Sequence, residues 1–440
     1  MPAPQAAPAT PVTPAGMLLR PAPFLWVALL FAVLCLPLVW SDRTSNYTHD
    51  EDLFHLPAVR QIRAHWPALD LRRDSLAATA PGYHYWLATL SWITGTDRRP
   101  LRLATFAVSL ALLGLLWGLF PREQAILGAA AVLPLAGSNF FVKSASWIVT
   151  DNPALLAMTA ALALILLAAR PGTTVWAGGL AAAAVFVRQM YAWLVAPILL
   201  RVWIDCRSRR DGARWSWALT ALPPLGVVGL LALAWGGLVP SGWRGAHYPA
   251  GTNPVASLVY GLAVLGELGG FYYFALARAN WRTDFGGWSA RIGAGLGLAL
   301  ALAGPTYRSM PAGRWGGYLW DLAEHLPAPA GRSIVFLGLA PLGGAIAGLL
   351  FERLRAEGGR GMAWLWLASY AAWLLSYVSN RLVFQRYFEP ATLIFLIFWL
   401  LLVLRARPDQ GSVWRMPLGV LTTGQIMITL LTAHCHVFFG

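Results

Sequence analysis

Three consecutive carboxylates, Asp50, Glu51 and Asp52, follow the first long apolar stretch of a chain in which only 12% of the residues are charged. A carboxylate placed there could accept the proton of an attacking hydroxyl as a general base, and His55 could orient or tune it. Two of the acids, Glu51 and Asp52, could instead hold a divalent metal ion such as Mg²⁺ or Mn²⁺. The alternative without chemistry is a solvated acidic loop or a set of acids at a helix start.

An arginine interrupts a later apolar stretch, residues 175–204. Arg188 costs several kcal/mol at membrane depth unless it is paired or hydrated. Because a guanidinium suits two-point recognition of phosphate, Arg188 and the following Gln189 are candidates for binding the phosphate of a lipid-linked substrate. The competing interpretation is an arginine that reaches the membrane surface from a short helix.

Two further sets of polar residues are weaker candidates. Asp151 stands at the head of an apolar stretch. These residues alone favour helix capping by Asp151 or Thr150, with proline in the first turn, over a role in a site. Arg381 and Arg386 lie between two late apolar stretches, and Arg386 is close enough to the second to face a cavity. A plain charged loop would look the same.

The whole composition places these residues in a membrane protein. The chain has 440 residues, 58% of them apolar, with a mean hydropathy of +0.56. About twelve or thirteen apolar stretches are long enough to cross a bilayer. They are continuous and not alternating, which predicts an all-α polytopic fold instead of a barrel.

The charge balance points to topology, since the net charge of +14 comes largely from short loops between the apolar stretches. Three loops are notably basic: 201–214, 352–360 and 405–415. The positive-inside rule predicts that these are cytoplasmic and makes a nucleic-acid partner unnecessary. The three cysteines are scattered and suggest neither a disulfide framework nor a metal pair.

The polar and apolar segments predict three regions. Residues 1–20 form a disordered tail, 21–205 an N-terminal catalytic module with an external acidic loop at 41–80, and 206–440 a C-terminal transmembrane module. The stretch 24–40 is expected to be a retained first span and not a signal peptide. Within the loop, Leu56, Val59, Ile62 and Trp66 share one face, which predicts an amphipathic helix lying on the bilayer.

A short apolar stretch, residues 83–93, decides which side the later residues face. If it does not cross, Asp151 and Arg188 emerge on the same side as the acidic loop. We expect this arrangement, because ionisable groups at membrane depth usually converge on a shared aqueous cavity.

Taken in order, these segments resemble the GT-C glycosyltransferases, which use polyprenyl-phosphate sugars. They are most similar to the dolichyl-phosphate-glucose-dependent alpha-1,2-glucosyltransferases of the N-glycan pathway. The similar segments are Glu51-Asp52-Leu53-Phe54-His55-Leu56-Pro57, Thr79-Ala80-Pro81-Gly82-Tyr83-His84-Tyr85, Val149-Thr150-Asp151, Val187-Arg188-Gln189, and Asn380-Arg381 through Tyr387. The first has the family's acids exchanged, or matches through Asp50-Glu51 with one residue inserted, and Val187 replaces a phenylalanine.

The resemblance implies an integral-membrane inverting glycosyltransferase that moves a sugar, glucose in the family, from a polyprenyl-phosphate donor to a lipid-linked or surface glycan. It favours Glu51 and Asp52 as the base pair over Asp50, with Arg188 and Arg386 stabilising the leaving phosphate. Five more residues complete the implied substrate site: His55, Asp151, Gln189, Arg381 and Tyr387. No cofactor is required in principle. The composition looks bacterial, which implies an undecaprenyl carrier and an inner-membrane enzyme whose site faces the periplasm.

The main alternative is a multi-pass transporter or flippase of lipid-linked sugars. The same charges would then line a translocation path. Transporters often contain internal repeats with paired broken helices, and the sequence has no second copy of the acidic-loop pattern. A glycosyltransferase is therefore the favoured reading.

Overall fold

The fold was analysed in a computed structural model that describes residues 22–42, 46–68, 70–71, 76–167, 174–208, 215–244, 254–276, 284–304, 306, 315–378, 380, 382–406 and 415–435. The predicted tail at 1–20 and Arg381 lie outside these residues. The α-helices are α1 (Ala22–Trp40), α2 (Asn46–Asp50), α3 (Leu56–His65), α4 (Gly82–Thr94), α5 (Arg98–Gly118), α6 (Ala125–Gly137), α7 (Asn139–Ser146), α8 (Asp151–Leu167), α9 (Thr174–Val187), α10 (Val195–Ser208), α11 (Leu222–Trp235), α12 (Pro254–Ala275), α13 (Trp288–Ala303), α14 (Tyr318–His325), α15 (Ile334–Gly358), α16 (Arg360–Ser376), α17 (Gln385–Ala406) and α18 (Met416–Thr429). Two short strands, β1 (Trp315–Gly316) and β2 (Val383–Phe384), pair in parallel.

Seven helices of the described chain are long and apolar enough to cross a membrane: Ala22–Trp40, Arg98–Gly118, Ala218–Trp235, Val255–Ala275, Pro329–Gly358, Gln385–Ala406 and Met416–His434. Helices α6 and α7 meet at 72° and would make an eighth span if counted together. Three shorter helices are also apolar: Asp151–Leu167, Val175–Val187 and Trp288–Ala303. These helices confirm a multi-pass helical membrane protein, while twelve or thirteen spans and the side that each loop faces stay predictions.

Helix α17 lies at the centre of the protein, and every residue from Tyr387 to Leu404 is buried. A helix that is apolar on all sides can be covered by lipid or by protein, and other parts of the protein cover α17. The Trp399 indole donates to the carbonyl of Leu350 at 2.8 Å, and the Trp366 indole donates to that of Phe395 at 3.0 Å. The first turn of α17 therefore projects its side chains from a fixed position.

Close glycine contacts join helices α12, α13 and α15. A Cβ added at Gly293 would collide with the carbonyl oxygen of Gly344, and one added at Gly343 would collide with that of Leu262. Small residues let helices in a membrane approach until their backbones touch, which supplies the van der Waals contact that holds them together. This packing fixes α12 and α15 relative to each other, and α17 packs against both of these helices.

The acidic loop at 41–80 contains helices, as predicted, but α3 packs differently from the expectation. Its apolar residues Leu56, Val59 and Ile62 are buried in a cluster with residues of α4, and Trp66 lies against Tyr85 with ring centres 4.7 Å apart. The prediction that this face lies on the bilayer is wrong. An apolar face can be covered by protein or by lipid, and its periodicity does not distinguish the two.

The predicted interruption at Arg188 is confirmed. Helix α9 ends at Val187, Arg188 adopts an extended backbone (φ −146°, ψ 115°), and a 3-10 turn over Gln189–Leu194 leads into α10. The Arg188 amide still donates to the carbonyl of Ala184 at 2.8 Å. The break therefore places a guanidinium and an amide side chain at a helix end, where they can face a polar cavity.

Candidate functional site

Segments that are far apart in the sequence surround a cavity of about 170 Å³. At the density of liquid water, this volume corresponds to roughly six water molecules. Predicted site residues that line it are Asp50, His55, Asp151, Arg188, Gln189, Arg386 and Tyr387. The acidic loop, the head of α8, the helix break and the start of α17 therefore meet at one place.

The first polar feature of the cavity is an ion pair between Asp50 and Arg386. The Arg386 Nη1 donates to Asp50 Oδ2 at 2.8 Å, and its Nη2 donates to the Tyr387 hydroxyl at 3.1 Å. The side chains of Asp50 and Arg386 are 27% and 19% exposed. Asp50 is thus the carboxylate of the acidic run that reaches the cavity, and it does so as a half-buried ion pair.

The second feature is an ion pair between Arg188 and Asp151, whose side chains are only 10% and 9% exposed. Asp151 is the first residue of α8, so the positive end of that helix also stabilises its charge. From the residues alone, helix capping was the favoured interpretation of Asp151. In the structure its carboxylate binds a guanidinium at the cavity wall.

Tyr387 lies between the two guanidiniums. Its ring centre is 4.8 Å from the Arg188 guanidinium carbon and 5.1 Å from that of Arg386, as in cation–π contacts. The wall therefore carries two positive and two negative groups that balance. An anionic ligand that uses both guanidiniums must compete with at least one carboxylate.

Glu51 occupies a different place from the one expected for a base. It is completely buried, and its carboxylate accepts hydrogen bonds from Arg102 Nε at 3.0 and 3.1 Å, from Arg102 Nη2 at 2.8 Å and from the amide of Ile148 at 2.9 Å. Arg102 also donates to the carbonyl of Ser41 at 2.8 Å. Glu51 therefore joins the acidic loop to α5 and to the segment before Asp151, and does not line the cavity.

Asp52 also does not line the cavity. Its carboxylate lies 2.8 Å from the guanidinium of the partly exposed Arg98. Residues 46–55 are helical, and successive side chains on a helix point about 100° apart. Three adjacent carboxylates consequently face three directions, and the geometry favours Asp50 over the Glu51 and Asp52 pair that the sequence ranked first.

Arg102 was not among the predicted site residues. It is 1% exposed and lies in the first turns of α5, four residues after Arg98. A buried charge in an apolar helix requires a partner, and that rule was available from the sequence. The partner, however, lies 51 positions earlier, so only the structure identifies it.

Gln189 lines the cavity but directs its amide at a backbone turn. Its Nε2 donates to the carbonyl of Ala78 at 2.8 Å, and its Oε1 accepts from the amide of Ala80 at 3.0 Å. A Cβ at Gly82, just after this turn, would lie 2.6 Å from the carbonyl oxygen of Phe186. Glycine there allows the turn to approach the end of α9, and Gln189 then fixes the turn at the cavity wall.

His55 faces the cavity and contacts a second histidine behind it. Its Nδ1 lies 2.8 Å from His84 Nε2, and the two rings are nearly parallel. Burial, followed by the charges of Arg386 and Arg188, lowers the pKa of His55 to about 3. Burial and His55 lower the pKa of His84 as well. Both rings are therefore neutral at physiological pH, and one N–H is shared between them.

Part of the cavity wall is apolar. Phe54 contacts Trp243 edge to face, with ring centres 4.8 Å apart. Both line the cavity together with Val239, Leu382 and Met190. The site therefore offers a charged wall and an apolar wall, a combination that suits an amphipathic ligand.

The residues do not fit a divalent metal site in this arrangement. The three acids considered for Mg²⁺ or Mn²⁺ diverge, and each is bound to a different arginine. Among the residues that the structure describes, no three His, Cys, Asp or Glu side chains come together as a metal site. Carboxylates that already neutralise guanidiniums are poor candidates for a cation with six or more oxygen ligands.

The chain matches no protein-family model, no curated protein and no solved structure. What the site can do must therefore follow from its own residues. It combines a reachable carboxylate, two guanidiniums, a neutral histidine and an apolar wall. Such a set can bind an anionic amphipathic molecule and accept a proton beside it.

Proposed function

We propose that this chain is an integral-membrane inverting glycosyltransferase with a GT-C-like helical bundle. It would transfer a sugar from a polyprenyl-phosphate donor to a hydroxyl of a lipid-linked or surface glycan. The observation that carries the proposal is the convergence of two Asp–Arg pairs on one cavity: Asp50 with Arg386, and Asp151 with Arg188. These pairs bring a proton acceptor and two phosphate-binding groups within reach of one bound molecule.

The reaction is a single displacement. The acceptor oxygen attacks the anomeric carbon, the bond from that carbon to the phosphate oxygen breaks, and the phosphate leaves with the electron pair. The acceptor's proton passes to a carboxylate, and the anomeric configuration inverts because one displacement occurs. Asp50 is assigned as this base, since it lines the cavity and is part exposed, whereas Glu51 is sealed against Arg102.

The guanidiniums stabilise the leaving phosphate. Arg386 and Arg188 both line the cavity, and arginine binds phosphate oxygens through paired N–H groups. Charge that develops on the departing phosphate is best stabilised by donors that are already in place. Tyr387 holds both guanidiniums at one aromatic ring, which preorganises them.

The remaining wall suits the rest of the substrates. Asp151 would orient the acceptor or a neighbouring group, and His55 supplies a neutral hydrogen-bonding edge. Phe54 and Trp243 provide apolar contact for the first units of a lipid chain. The arginine- and alanine-rich composition favours a bacterial inner membrane with undecaprenyl phosphate as carrier and a site that faces the periplasm. No step of this reaction requires a cofactor.

A transfer assay tests the proposal. Purified full-length protein in lipid nanodiscs is given a panel of radiolabelled polyprenyl-phosphate sugars and glycolipid acceptors, and Asp50→Asn is compared with wild type. Loss of the base should reduce the rate by about 10²-fold or more. Asp42→Asn is the matched control. Asp42 also follows α1 and pairs with an arginine, Arg99, but this ion pair is exposed and does not line the cavity. Transfer by Asp50→Asn at the wild-type rate, or transfer from no donor of the panel, would contradict the proposal.

The second candidate is a transporter or flippase of lipid-linked sugars. Two acids within apolar helices favour it, Glu267 in α12 and Glu389 in α17, since such residues often mark transport paths. The two functions separate in detergent micelles, which have no sealed compartments. A transferase forms its glycosylated product there, whereas a flippase forms none.

A further inference from the structure

Glu267, Tyr318 and Glu389 form a hydrogen-bonded chain outside the cavity. They belong to α12, α14 and α17. The Tyr318 hydroxyl lies 2.7 Å from Glu267 Oε1 and 2.8 Å from Glu389 Oε2. A phenol has one hydrogen and can donate to only one of these oxygens. One of the two contacts therefore needs a hydrogen from the carboxyl group itself.

The neighbours of Glu389 show that it is the acceptor. Ser138 Oγ lies 2.6 Å from its Oε1, and Gln385 Nε2 lies 2.9 Å from its Oε2. The orientation of the Gln385 amide is fixed, because its Oε1 accepts from the amide of Leu319 at 3.2 Å and from the hydroxyl of Tyr260 at 3.0 Å. Its nitrogen must then donate to Glu389.

The Ser138 hydroxyl has a similar constraint. Its oxygen already accepts from the amide of Phe141, so its hydrogen is free to go to Glu389. With donors at both of its oxygens, Glu389 has the environment of an ionised carboxylate, which only accepts. The hydrogen of Tyr318 completes this set.

Glu267 must then supply the hydrogen for its own contact with Tyr318. Its second oxygen, Oε2, is buried and accepts no hydrogen bond from the residues that the structure describes. A buried carboxylate oxygen without a donor is costly when charged and much less so when the group is neutral. We propose that Glu267, Tyr318 and Glu389 form a proton-binding site in which Glu267 holds the proton and Glu389 holds the negative charge.

The chain also provides a path for that proton. If the Oε1–H bond of Glu267 breaks and its proton passes to Tyr318, the hydroxyl proton of Tyr318 passes to Glu389 Oε2. The charge then moves from Glu389 to Glu267 with no change in the number of protons. Glu389 is one helical turn from Arg386 and next but one to Tyr387 in α17. The position of the proton therefore sets the charge beside the turn of α17 that forms part of the cavity wall. This inference does not depend on the proposed transfer reaction.

Infrared spectroscopy tests this assignment. Full-length protein in nanodiscs at neutral pH should show a carboxylic-acid C=O band that shifts when glutamate is labelled with ¹³C. The band should be lost in Glu267→Gln and retained in Glu389→Gln. Retention of the band in Glu267→Gln, or its loss only in Glu389→Gln, would overturn the proposal.

Thermal melting provides an independent readout. Glu267→Gln should have the same melting temperature as wild type, because its side-chain amide can donate a hydrogen bond to Tyr318 as the neutral acid does. Glu389→Gln should have a lower melting temperature, because the new amide N–H groups would face the hydrogen-bond donors Ser138, Gln385 and Tyr318. Glu123→Gln, an exposed glutamate in a short turn, is the matched control and should change neither readout. A Glu267→Gln protein that does not fold would contradict a neutral Glu267.

Discussion

Removal of Glu51 should lower the stability of the folded protein, because this side chain anchors the acidic loop and does not line the cavity. Glu51 and Arg102 are 0% and 1% exposed, and the carboxylate receives four contacts between 2.8 and 3.1 Å from Arg102 and the amide of Ile148. In Glu51→Ala the guanidinium stays buried and keeps only the carbonyls of Val39 and Ser41. A buried charge is then left without its counter-charge.

The size of the effect follows from this geometry. Breaking a buried pair by removing one partner costs about 3 to 5 kcal/mol, because the remaining charge is uncompensated. Ile148 loses its acceptor as well, which adds to the same penalty. We therefore expect the free energy of unfolding to fall by about 4 kcal/mol. Asp52→Asn is the matched control: its pair with Arg98 is partly exposed, so it should cost about 1 kcal/mol or less.

The assay is a denaturant titration of unfolding in mixed micelles, carried out on Glu51→Ala, Arg102→Ala and the double variant. The double variant should be less destabilised than the sum of the single variants, since it leaves no orphan charge. A Glu51→Ala protein that is as stable as wild type but inactive in transfer would refute this reasoning. Such a result would make Glu51 the candidate general base again.

Two further predictions concern the cavity wall. Burial and the charge of Arg386 lower the pKa of His55 to about 3 from 6.5. The unfolded chain therefore binds a proton that the folded chain excludes, and stability is lost as the pH falls below 6.5, by about 1.4 kcal/mol per pH unit. Acid titrations of unfolding should show a smaller loss in His55→Asn. Gln189→Ala removes the hydrogen bonds to Ala78 and Ala80, which should cost about 1 to 2 kcal/mol in melting experiments and raise the KM for transfer.

Some of this architecture could be predicted from the sequence because it depends on local composition. Continuous apolar stretches require helices in a membrane, and the cost of Arg188 in such a stretch requires a break or a partner. The break occurs at Arg188, and its partner is Asp151. The meeting of the acidic loop with these residues followed from the expectation that membrane charges share a cavity, and Asp50 lines that cavity.

The rest depended on side-chain direction and on distant partners. Adjacent acids in a helical segment point to different sides, so their order in the sequence does not show which one reaches a cavity. Arg102 is 51 residues from Glu51, and no local pattern joins them. The face of α3 that carries Val59 is equally apolar whether lipid or α4 covers it. These features are determined by how the helices pack, and the periodicity of the sequence does not reveal them.

The difference between the two ion pairs determines which carboxylate could act as base in the proposed reaction. Each guanidinium already neutralises one carboxylate, so an incoming phosphate competes with that carboxylate for the guanidinium. The Asp50 and Arg386 side chains are 27% and 19% exposed, whereas those of Asp151 and Arg188 are 9% and 10% exposed. Separating the more exposed pair leaves less uncompensated charge out of water and costs less. Phosphate should therefore weaken the ion pair between Arg386 and Asp50 first, while Arg386 stays at the ring of Tyr387. The carboxylate that gains basicity is then the one beside the newly bound donor.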